Sequence, residues 1–325
     1  MAEIVIGLGT SHSPQLSTPP ELWDLRGSTL DIKNPWLYTT TNGTHVTYDE
    51  LLAMADPELK KELTPEVYAR RHEANQKGLN RVGQALEAAE PDVLVVVGDD
   101  QNELIREDLM PVFTVFWGES IAWVPRNPTE AANQAALGGH PRESSEFPVA
   151  SDLALHMIGS LIEQNIDVAH SKHLRDGGSV GGAFAFVYGR ITDKRIPLIP
   201  VMQNTYFPPN QPKPARSYEF GVTLGEAIRS FPGRERVAVV ASGGFSHFVV
   251  DEDIDRRAIA ALREQDVDAM RALPVERLKS GTSEIRNWLT VAGAVGDRKF
   301  DLFDYVPCYR SPAGTGCAMA FGQWV

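Results

Sequence analysis

Short apolar runs, made mostly of aliphatic and β-branched residues, recur along this chain. Their length and composition predict β-strands at Ile4–Leu8, Val93–Val97, Val112–Trp117, Leu198–Met202 and Val237–Ala241. None of these runs alternates strictly between apolar and polar positions. We therefore expect both faces of the sheet that they form to be buried.

The stretches between several of these runs have the spacing of amphipathic helices. The pattern predicts helices at roughly Pro65–Ala89, Ser151–Gln164, Ser217–Ser230 and Asp255–Ala272. Strands that alternate with helices indicate right-handed crossovers and a mainly parallel sheet. We expect an α/β fold, a single domain over residues 1–325, with its central sheet flanked by helices and the active site at one sheet edge. Residues 15–64 and 124–150, rich in Pro, Gly, Asn and Thr, are predicted to be loops.

Composition narrows the class of protein. The 42% hydrophobic and 23% charged residues are typical of a soluble globular chain. The net charge is −12 and no basic cluster offsets it, which argues against nucleic acid or an anionic membrane as a partner. The two cysteines, Cys308 and Cys317, do not form a C-x-x-C motif, so we expect a reducing, cytoplasmic location. No secretory leader or 18-residue apolar span is evident, and neither secretion nor membrane insertion is predicted.

Polar residues follow several of the predicted strands. They are Ser11-His12, the group Asp99, Asp100, Gln101 and Glu103, the pair Gln203-Asn204, and Ser246-His247. If the strands are parallel, all these ends meet at one edge, where open α/β sheets bind ligands. His72 lies in the second turn of the first long helix, and this helix is expected to begin at the same edge.

This supply of imidazole, carboxylate and amide groups, without thiolates, suits a mononuclear metal site. Two histidines and one carboxylate with open positions are the ligand set of non-heme Fe(II) oxygenases. A zinc hydrolase uses similar ligands. Composition and spacing leave both possibilities open.

Five segments carry a resemblance to a known family: GTSHSP, PDVLVVVGDDQ, PVMQNTYFPPNQP, ASGGFSHF and SGTSEIRNW. Together, and in this order, they resemble the class III (LigB-type) extradiol ring-cleavage dioxygenases over nearly the whole chain. The similarity is greatest to the branch of protocatechuate 4,5-dioxygenase and 3-O-methylgallate dioxygenase. The segment DYVPCYRSPAGTG near the C-terminus fits the latter.

The resemblance implies an Fe(II) site at one end of an α/β fold. The first iron ligand of the family, the histidine of its N-terminal S-H motif, falls on His12. The carboxylate ligand, four residues before a tryptophan, falls on Glu284. The acid/base histidine of the G-G-x-S-H motif falls on His247. Without the family, Glu284 would be interpreted as an ordinary glutamate at a helix start.

Two positions depart from the family pattern. The second iron histidine usually follows Asp after the second strand, where this chain has Gln101. Either the carbonyl oxygen of Gln101 binds iron or another histidine, such as His72, replaces it. Relatives also have a histidine in a G-H-A-F segment that lines the substrate pocket, where this chain has Gly182. His170 or His173 could compensate for that loss, and the change bears on both substrate and reaction.

Further residues are predicted near the substrate. Ser246, Asn204 and Tyr206 are candidates to hydrogen-bond it, with Gly182 at the pocket wall. Three aromatic residues could stack on its ring, although core packing explains such residues more often: Trp117, Phe147 and Phe245.

The resemblance implies a dioxygenase that cleaves a gallate-like or 3-O-methylgallate-like catechol acid with O₂. His247 would supply the acid/base function, because the pKa of histidine lies near neutrality. The implied cofactor is Fe(II), and the implied assembly is a homodimer. Two alternatives remain: a metal-binding relative that performs a different reaction, and a zinc-dependent hydrolase.

Overall fold

The computed structural model describes residues 1–125, 143–175 and 178–325. The strands in this part of the chain are β1 Glu3–Thr10, β2 Val93–Gly98, β3 Phe113–Phe116, β4 Ser120–Trp123, β5 Ser145–Pro148, β6 Ala169–Ser171, β7 Leu198–Gln203, β8 Arg236–Ser242, β9 His247–Val249, β10 Phe300–Tyr309 and β11 Thr315–Trp324. The α-helices are α1 Trp23–Thr29, α2 Tyr48–Met54, α3 Pro65–Ala89, α4 Ser151–Glu163, α5 Gly182–Phe186, α6 Pro214–Ser230, α7 Glu252–Glu264, α8 Val267–Arg271 and α9 Ile285–Val295. Among these described helices, none has both the length and the apolar character needed to cross a bilayer.

Nine of the described strands form one mixed sheet. Its order is β10-β11-β1-β8-β2-β7-β3-β6, and β9 pairs with β11. The central strands β1, β8, β2 and β7 are parallel to one another, whereas β9, β10 and β11 add an antiparallel unit at one side. On the other side β3 runs antiparallel to β7. The predicted single-domain α/β fold with a mainly parallel central sheet is confirmed.

Two cores cover the two faces of this sheet. Every residue of β2 is buried, and successive side chains point to opposite faces. Val95 lies in a core shared with α4, α6, α7 and α9, whereas Val96 lies in a core shared with α3 and α5. Burial on both faces explains why the strand runs are continuously apolar rather than alternating.

The C-terminal hairpin of β10 and β11 was not predicted. Pro307 interrupts β10, and proline within an apolar run normally argues against a strand. Its partner β11 is rich in small residues, including Gly316 and Gly322. The hairpin is nevertheless central, because β11 pairs with β1 and with β9 as well as with β10.

Two other predictions need correction. The expected loop over 15–64 contains α1, α2 and several short 3₁₀ turns. The helix expected over Asp255–Ala272 is two helices, α7 and α8, because Gln265 adopts a left-handed backbone conformation with φ 54° that ends α7. In the expected loop 124–150, residues 126–142 lie outside the described residues, and the rest contains β5.

Helix α9 packs unusually close to the sheet at Gly9 of β1. A methyl group added at Gly9 would lie 2.1 Å from the nearest ring carbon of Trp288. The Trp288 ring is fully buried, and its Nε1 donates a hydrogen bond of 3.0 Å to the carbonyl oxygen of Gly243. The ring therefore has little room to move, and the absence of a side chain at Gly9 sets the helix position.

We expect Gly9→Ala to lower the free energy of unfolding by about 1–3 kcal/mol, as for overpacking of a core. The matched control is Gly159→Ala on the exposed face of α4, where an added methyl group meets no described atom within 4 Å. There the helix propensity of alanine should raise stability by about 0.5–1 kcal/mol. Urea unfolding measures both, and equal effects of the two substitutions would contradict this account.

Candidate metal centre

A cavity of about 140 Å³ opens near the carboxyl ends of the central strands. It is close in size to a cavity known to hold one benzene ring, about 150 Å³. Residues from several elements line it, among them His12, Gln101, Tyr206, His247, Glu284 and Cys317. The cavity thus lies at the sheet edge where the sequence predicts the active site.

Three side chains beside this cavity form a cluster with the geometry of a metal site. His12 follows β1, Asp99 follows β2, and Glu284 ends the 3₁₀ turn Ser280–Glu284 that leads into α9. One ligand atom from each residue lies within 4.8 Å of those of the other two. One imidazole and two carboxylates suit a divalent cation that accepts nitrogen and oxygen ligands.

The chemistry of Asp99 supports this assignment. Its Oδ1 is buried and has no hydrogen-bond partner among the described residues. Burial, together with the charge of Glu284, raises the pKa of Asp99 well above its usual value. Two buried carboxylates that face each other resist joint ionisation, and a cation between them removes this repulsion. The residues present therefore fit a bound metal ion.

The hydrogen bonds of His12 favour one ring tautomer. Ser242 Oγ donates a hydrogen bond of 2.6 Å to the carbonyl oxygen of Ala183 and lies 3.3 Å from Nδ1 of His12. Because the hydroxyl proton is already used, Oγ accepts from Nδ1–H, and Nε2 keeps its lone pair. Burial lowers the pKa of His12, which also favours the neutral ring. Neutral Nε2 is the form in which histidine binds metals.

Glu284 is ionised although it is buried. Its Oε2 accepts a hydrogen bond of 2.6 Å from the backbone N–H of Gly244, and its Oε1 accepts one of 2.8 Å from the Tyr206 hydroxyl. Burial alone would raise the pKa of this carboxyl. The charge on His247, with the hydrogen bonds from His247 and Gly244, outweighs burial and lowers the pKa of Glu284 to about 2.

His247 is placed to hold and transfer a proton. Its Nδ1 lies 2.7 Å from the carbonyl oxygen of Phe245, and its Nε2 lies 3.2 Å from Oε1 of Glu284 and 3.2 Å from the Tyr206 hydroxyl. Burial alone would lower the pKa of His247, but Glu284 and the contact with Cys317 raise it well above the usual value. Its side chain lines the cavity, so the proton on Nε2 is within reach of a bound molecule.

Gln101 lines the cavity next to the cluster, and its role as a metal ligand stays a prediction. Gln101 is exposed, and its Nε2 donates a hydrogen bond of 3.0 Å to Oδ2 of Asp99. It thereby orients the carboxylate that lies at the cluster. His72, the other candidate for this position, packs instead against the ring of Trp23 and does not line the cavity.

The predicted substrate-binding residues differ in whether they line the cavity or bond within the protein. Tyr206 lines the cavity, as described above. Ser246 donates a hydrogen bond of 2.6 Å to Asp255, and the amide of Asn204 bonds to Phe207 and Asn210, so both side chains are engaged within the protein. Gly182 is the first residue of α5, one residue before Ala183, whose carbonyl accepts from Ser242.

The predicted ring-stacking residues belong to other packing contacts. Trp117 donates from Nε1 to Nδ1 of exposed His170 at 3.0 Å. Phe147 stacks on Tyr188, and Phe245 packs edge-on against Trp288. His173 is exposed. None of these side chains lines the cavity described above.

Several residues of the cluster or of the cavity wall were not selected from the sequence. Asp99 was noted as a polar residue at a strand end but was not selected as a ligand. Arg26 lies on α1, inside a predicted loop, and Arg310 and Cys317 lie at the unpredicted C-terminal hairpin. The only sequence signal for Asp99 was its position directly after an apolar strand.

The family follows from comparison with known proteins. Residues 59–316 match the family described as the catalytic LigB subunit of aromatic ring-opening dioxygenase, and the chain belongs to this family. The resemblance inferred from the sequence motifs is confirmed at the level of the family.

The named relatives share about a quarter to a third of their aligned residues with this chain. A 2,3-dihydroxyphenylpropionate/2,3-dihydroxicinnamic acid 1,2-dioxygenase of Cupriavidus necator is 31% identical over 56% of this chain and 51% of its own length. The Comamonas testosteroni protein of the same name is 23% identical over 64% of this chain and 60% of its own. The chain thus spans about half the length of the first of these. An uncharacterized Escherichia coli K12 structure superimposes with a TM-score of 0.47 at 17% identity over 77% of this chain and 92% of its own, too weakly to support an argument.

We expect Asp99→Asn to weaken binding of a divalent metal by more than about 100-fold, because it removes a ligand charge. Gln101→Ala should weaken it by only about 10-fold, as is usual for a residue that orients a ligand. Asp108→Asn, at an exposed carboxylate, is the control and should change nothing. Calorimetric titration measures all three, and a larger loss in Gln101→Ala than in Asp99→Asn would show that Gln101 is the ligand.

A further buried carboxylate, that of Asp255, holds the segment before His247. Asp255 of α7 accepts hydrogen bonds from Ser246 N at 2.8 Å, from Ser246 Oγ at 2.6 Å and from the Tyr305 hydroxyl at 2.7 Å. Burial raises the pKa of Asp255 to about 7 despite these donors. In the unfolded chain the pKa of an aspartate is about 3.9. Between about pH 4 and pH 7, Asp255 is therefore protonated in the folded protein but ionised in the unfolded chain.

The stability contributed by protonated Asp255 is therefore complete below about pH 4 and is lost as the pH rises through 7. We expect the stability advantage of the wild type over Asp255→Asn to shrink by roughly 1–3 kcal/mol between pH 5 and pH 8. Asp253→Asn is the control, because Arg277 lowers the pKa of the exposed Asp253, which is therefore ionised in both states and should give no dependence between pH 5 and pH 8. Urea unfolding at several pH values tests this, and a constant difference would refute it.

Proposed function

We propose that this protein is an extradiol dioxygenase that opens the ring of a catecholic aromatic acid with O₂. Fe(II) would be held by His12, Asp99 and Glu284, and His247 would act as acid and base. One observation carries the proposal: three side chains able to bind a metal are clustered beside a cavity of about 140 Å³ that His247 also lines. Membership of the LigB family supports it.

Bound at this cluster, Fe(II) would supply the redox chemistry that allows an aromatic diol to react with O₂. The protein holds the reactants. A cavity close to the size of one benzene ring excludes most water and positions a single-ring substrate beside the cluster.

His247 would move the protons. In the described arrangement the charge of Glu284 is a main support for the proton on Nε2. Compensation of that charge by a cation would lower the pKa of His247 toward the range in which it accepts a phenol proton and later returns it. The Tyr206 hydroxyl, bonded to Glu284 and next to Nε2, keeps the two groups aligned.

The substrate is proposed only as a class. The named relatives act on 2,3-dihydroxyphenylpropionate, a catechol that carries an acid group. The gallate-like or 3-O-methylgallate-like acid expected from the C-terminal motif belongs to the same class. Iron as the metal, the cytoplasmic location, the domain bounds of 1–325 and the dimer stay predictions.

One observation favours the alternatives. The cluster offers one histidine and two carboxylates, whereas Fe(II) oxygenases commonly use two histidines and one carboxylate. One histidine and two carboxylates also suit a divalent metal other than iron. The alternatives are therefore a family member with a changed reaction and a zinc-dependent hydrolase. These alternatives do not consume O₂.

The test is O₂ uptake by protein loaded anaerobically with Fe(II), against catechol, protocatechuate, gallate, 3-O-methylgallate and 2,3-dihydroxyphenylpropionate. We expect stoichiometric uptake with a yellow ring-opened product for at least one acid, and loss of uptake in Glu284→Gln. His247→Asn should bind iron normally but react roughly 10²–10⁴-fold more slowly, the usual size of an acid/base contribution. His173→Asn, at an exposed histidine, is the matched control.

Bound iron without uptake on any of these compounds would favour the changed reaction. No bound iron would eliminate the dioxygenase, and full activity in His247→Asn would eliminate the proposed acid/base role.

A further inference from the structure

Two buried arginines line the same cavity as the metal cluster. Arg26 lies on α1 and Arg310 directly follows β10. Arg26 is 9% exposed and Arg310 is 6% exposed. Arginines so deeply buried beside a cavity are candidates to bind an anion there, because the guanidinium group forms paired hydrogen bonds with a carboxylate.

Arg310 already has a carboxylate partner in the protein. Its Nε and Nη2 donate to the two oxygens of Asp31 at 2.8 and 2.7 Å, and its Nη1 donates to Oε1 of Gln15 at 2.9 Å. Asp31 also accepts a hydrogen bond of 2.5 Å from the Thr315 hydroxyl. Asp31 therefore compensates part of the charge of Arg310, and its charge also acts on Arg26, the second guanidinium group at the cavity wall.

The backbone next to Arg26 is closely packed. A methyl group added at the next residue, Gly27, would lie 2.2 Å from the carbonyl oxygen of Arg310. Helix α1 is thus pressed directly against the backbone that follows β10. Burial, with the neighbouring charge of Arg310, lowers the pKa of Arg26 to about 10, so the guanidinium remains charged at neutral pH. A fixed cation discriminates between ligands better than a mobile one.

We infer that Arg26 binds the carboxylate of the aromatic acid and so selects anionic over neutral catechols. This inference rests on the proposed function and specifies its substrate class. In a cavity close to the size of one ring, a molecule with its diol at the cluster of His12, Asp99 and Glu284 can extend its acid group to another wall. A neutral catechol offers the guanidinium no anion.

The test compares Arg26→Gln, which removes the charge, with Arg26→Lys, which keeps the charge but loses the planar fork. Arg256→Gln, at an exposed arginine of α7, is the control. Anaerobic titration calorimetry measures the affinity of the metal-loaded protein for three probes: protocatechuate, 2,3-dihydroxyphenylpropionate and neutral catechol. Steady-state O₂ uptake gives kcat and KM for the same compounds. Thermal melting shows whether each variant is folded.

We expect Arg26→Gln to weaken binding of at least one acid by about 10- to 100-fold, the size expected for a charge-assisted hydrogen bond. Binding of catechol should change by less than about 3-fold. The affinity of Arg26→Lys for the acid should lie between those of the wild type and Arg26→Gln. Arg256→Gln should bind all probes as the wild type does. In steady state the loss should fall mainly on KM for the acid.

Equal losses for acids and catechol, unchanged acid binding, or no binding of either acid by the wild type would each overturn the inference. The proposed reaction fails separately. If no probe is cleaved but Arg26→Gln selectively loses an acid, the anion site stands without the dioxygenase. If catechols are cleaved and Arg26→Gln has no selective effect, the dioxygenase stands without the anion site.

Discussion

The ionised carboxylate of Glu284 is the group on which the rest of the site depends. It is 1% exposed, and burial of a carboxylate costs several kcal/mol unless hydrogen bonds and opposite charges offset it. Gly244, Tyr206 and His247 each contact it within 3.2 Å. These contacts come from two segments that are distant in the chain, one with Tyr206 and one with both Gly244 and His247. The same carboxylate therefore fixes the geometry of the proton-holding histidine and the ligand cluster.

Such close contact requires glycine around the two catalytic candidates. A methyl group at Gly281 would lie 2.1 Å from the His247 ring, and one at Gly244 would lie 3.0 Å from it. One at Gly243 would lie 2.9 Å from the Asn287 amide. Steric contact thus explains why glycine stands at these positions in the segments ASGGFSHF and SGTSEIRNW. They let the end of β8 and the start of α9 meet around one buried carboxylate.

Sequence reasoning succeeded where the signal is local. The parallel strands follow from short continuous apolar runs, and helix α3 follows from hydrophobic periodicity. Helix α3 begins where predicted because Thr64 caps it and Pro65 is its first residue. The hairpin of β10 and β11 could not be predicted in the same way, because its stability comes from pairing with β1 and not from its own pattern. Arg310, Cys317 and, through the missed helix α1, Arg26 remained hidden for this reason.

The choice between Asp99 and Gln101 shows the same limit within the site. The family pattern points to position 101, but the chain turns sharply after β2, and Asn102 adopts a left-handed conformation with φ 66°. The turn leaves Gln101 exposed, whereas Asp99 is 3% exposed at the cluster. Sequence spacing identifies the segment that reaches the cavity. Only the backbone direction decides that Asp99 is buried at the cluster while Gln101 lies at the cavity wall.

The charges around the cavity are divided in a way that selects a ligand with two different ends. Asp99 and Glu284 bring two carboxylates together at the cluster, while Arg26 and Arg310 bring two guanidinium groups together elsewhere on the wall. Asp31 already pairs with Arg310, and His247 with Glu284, so each group is partly compensated within the protein. A metal cation is attracted to the first group, and an anionic substituent is attracted to the second. A catechol acid, bound to the metal through its diol, is a single ring that satisfies both requirements.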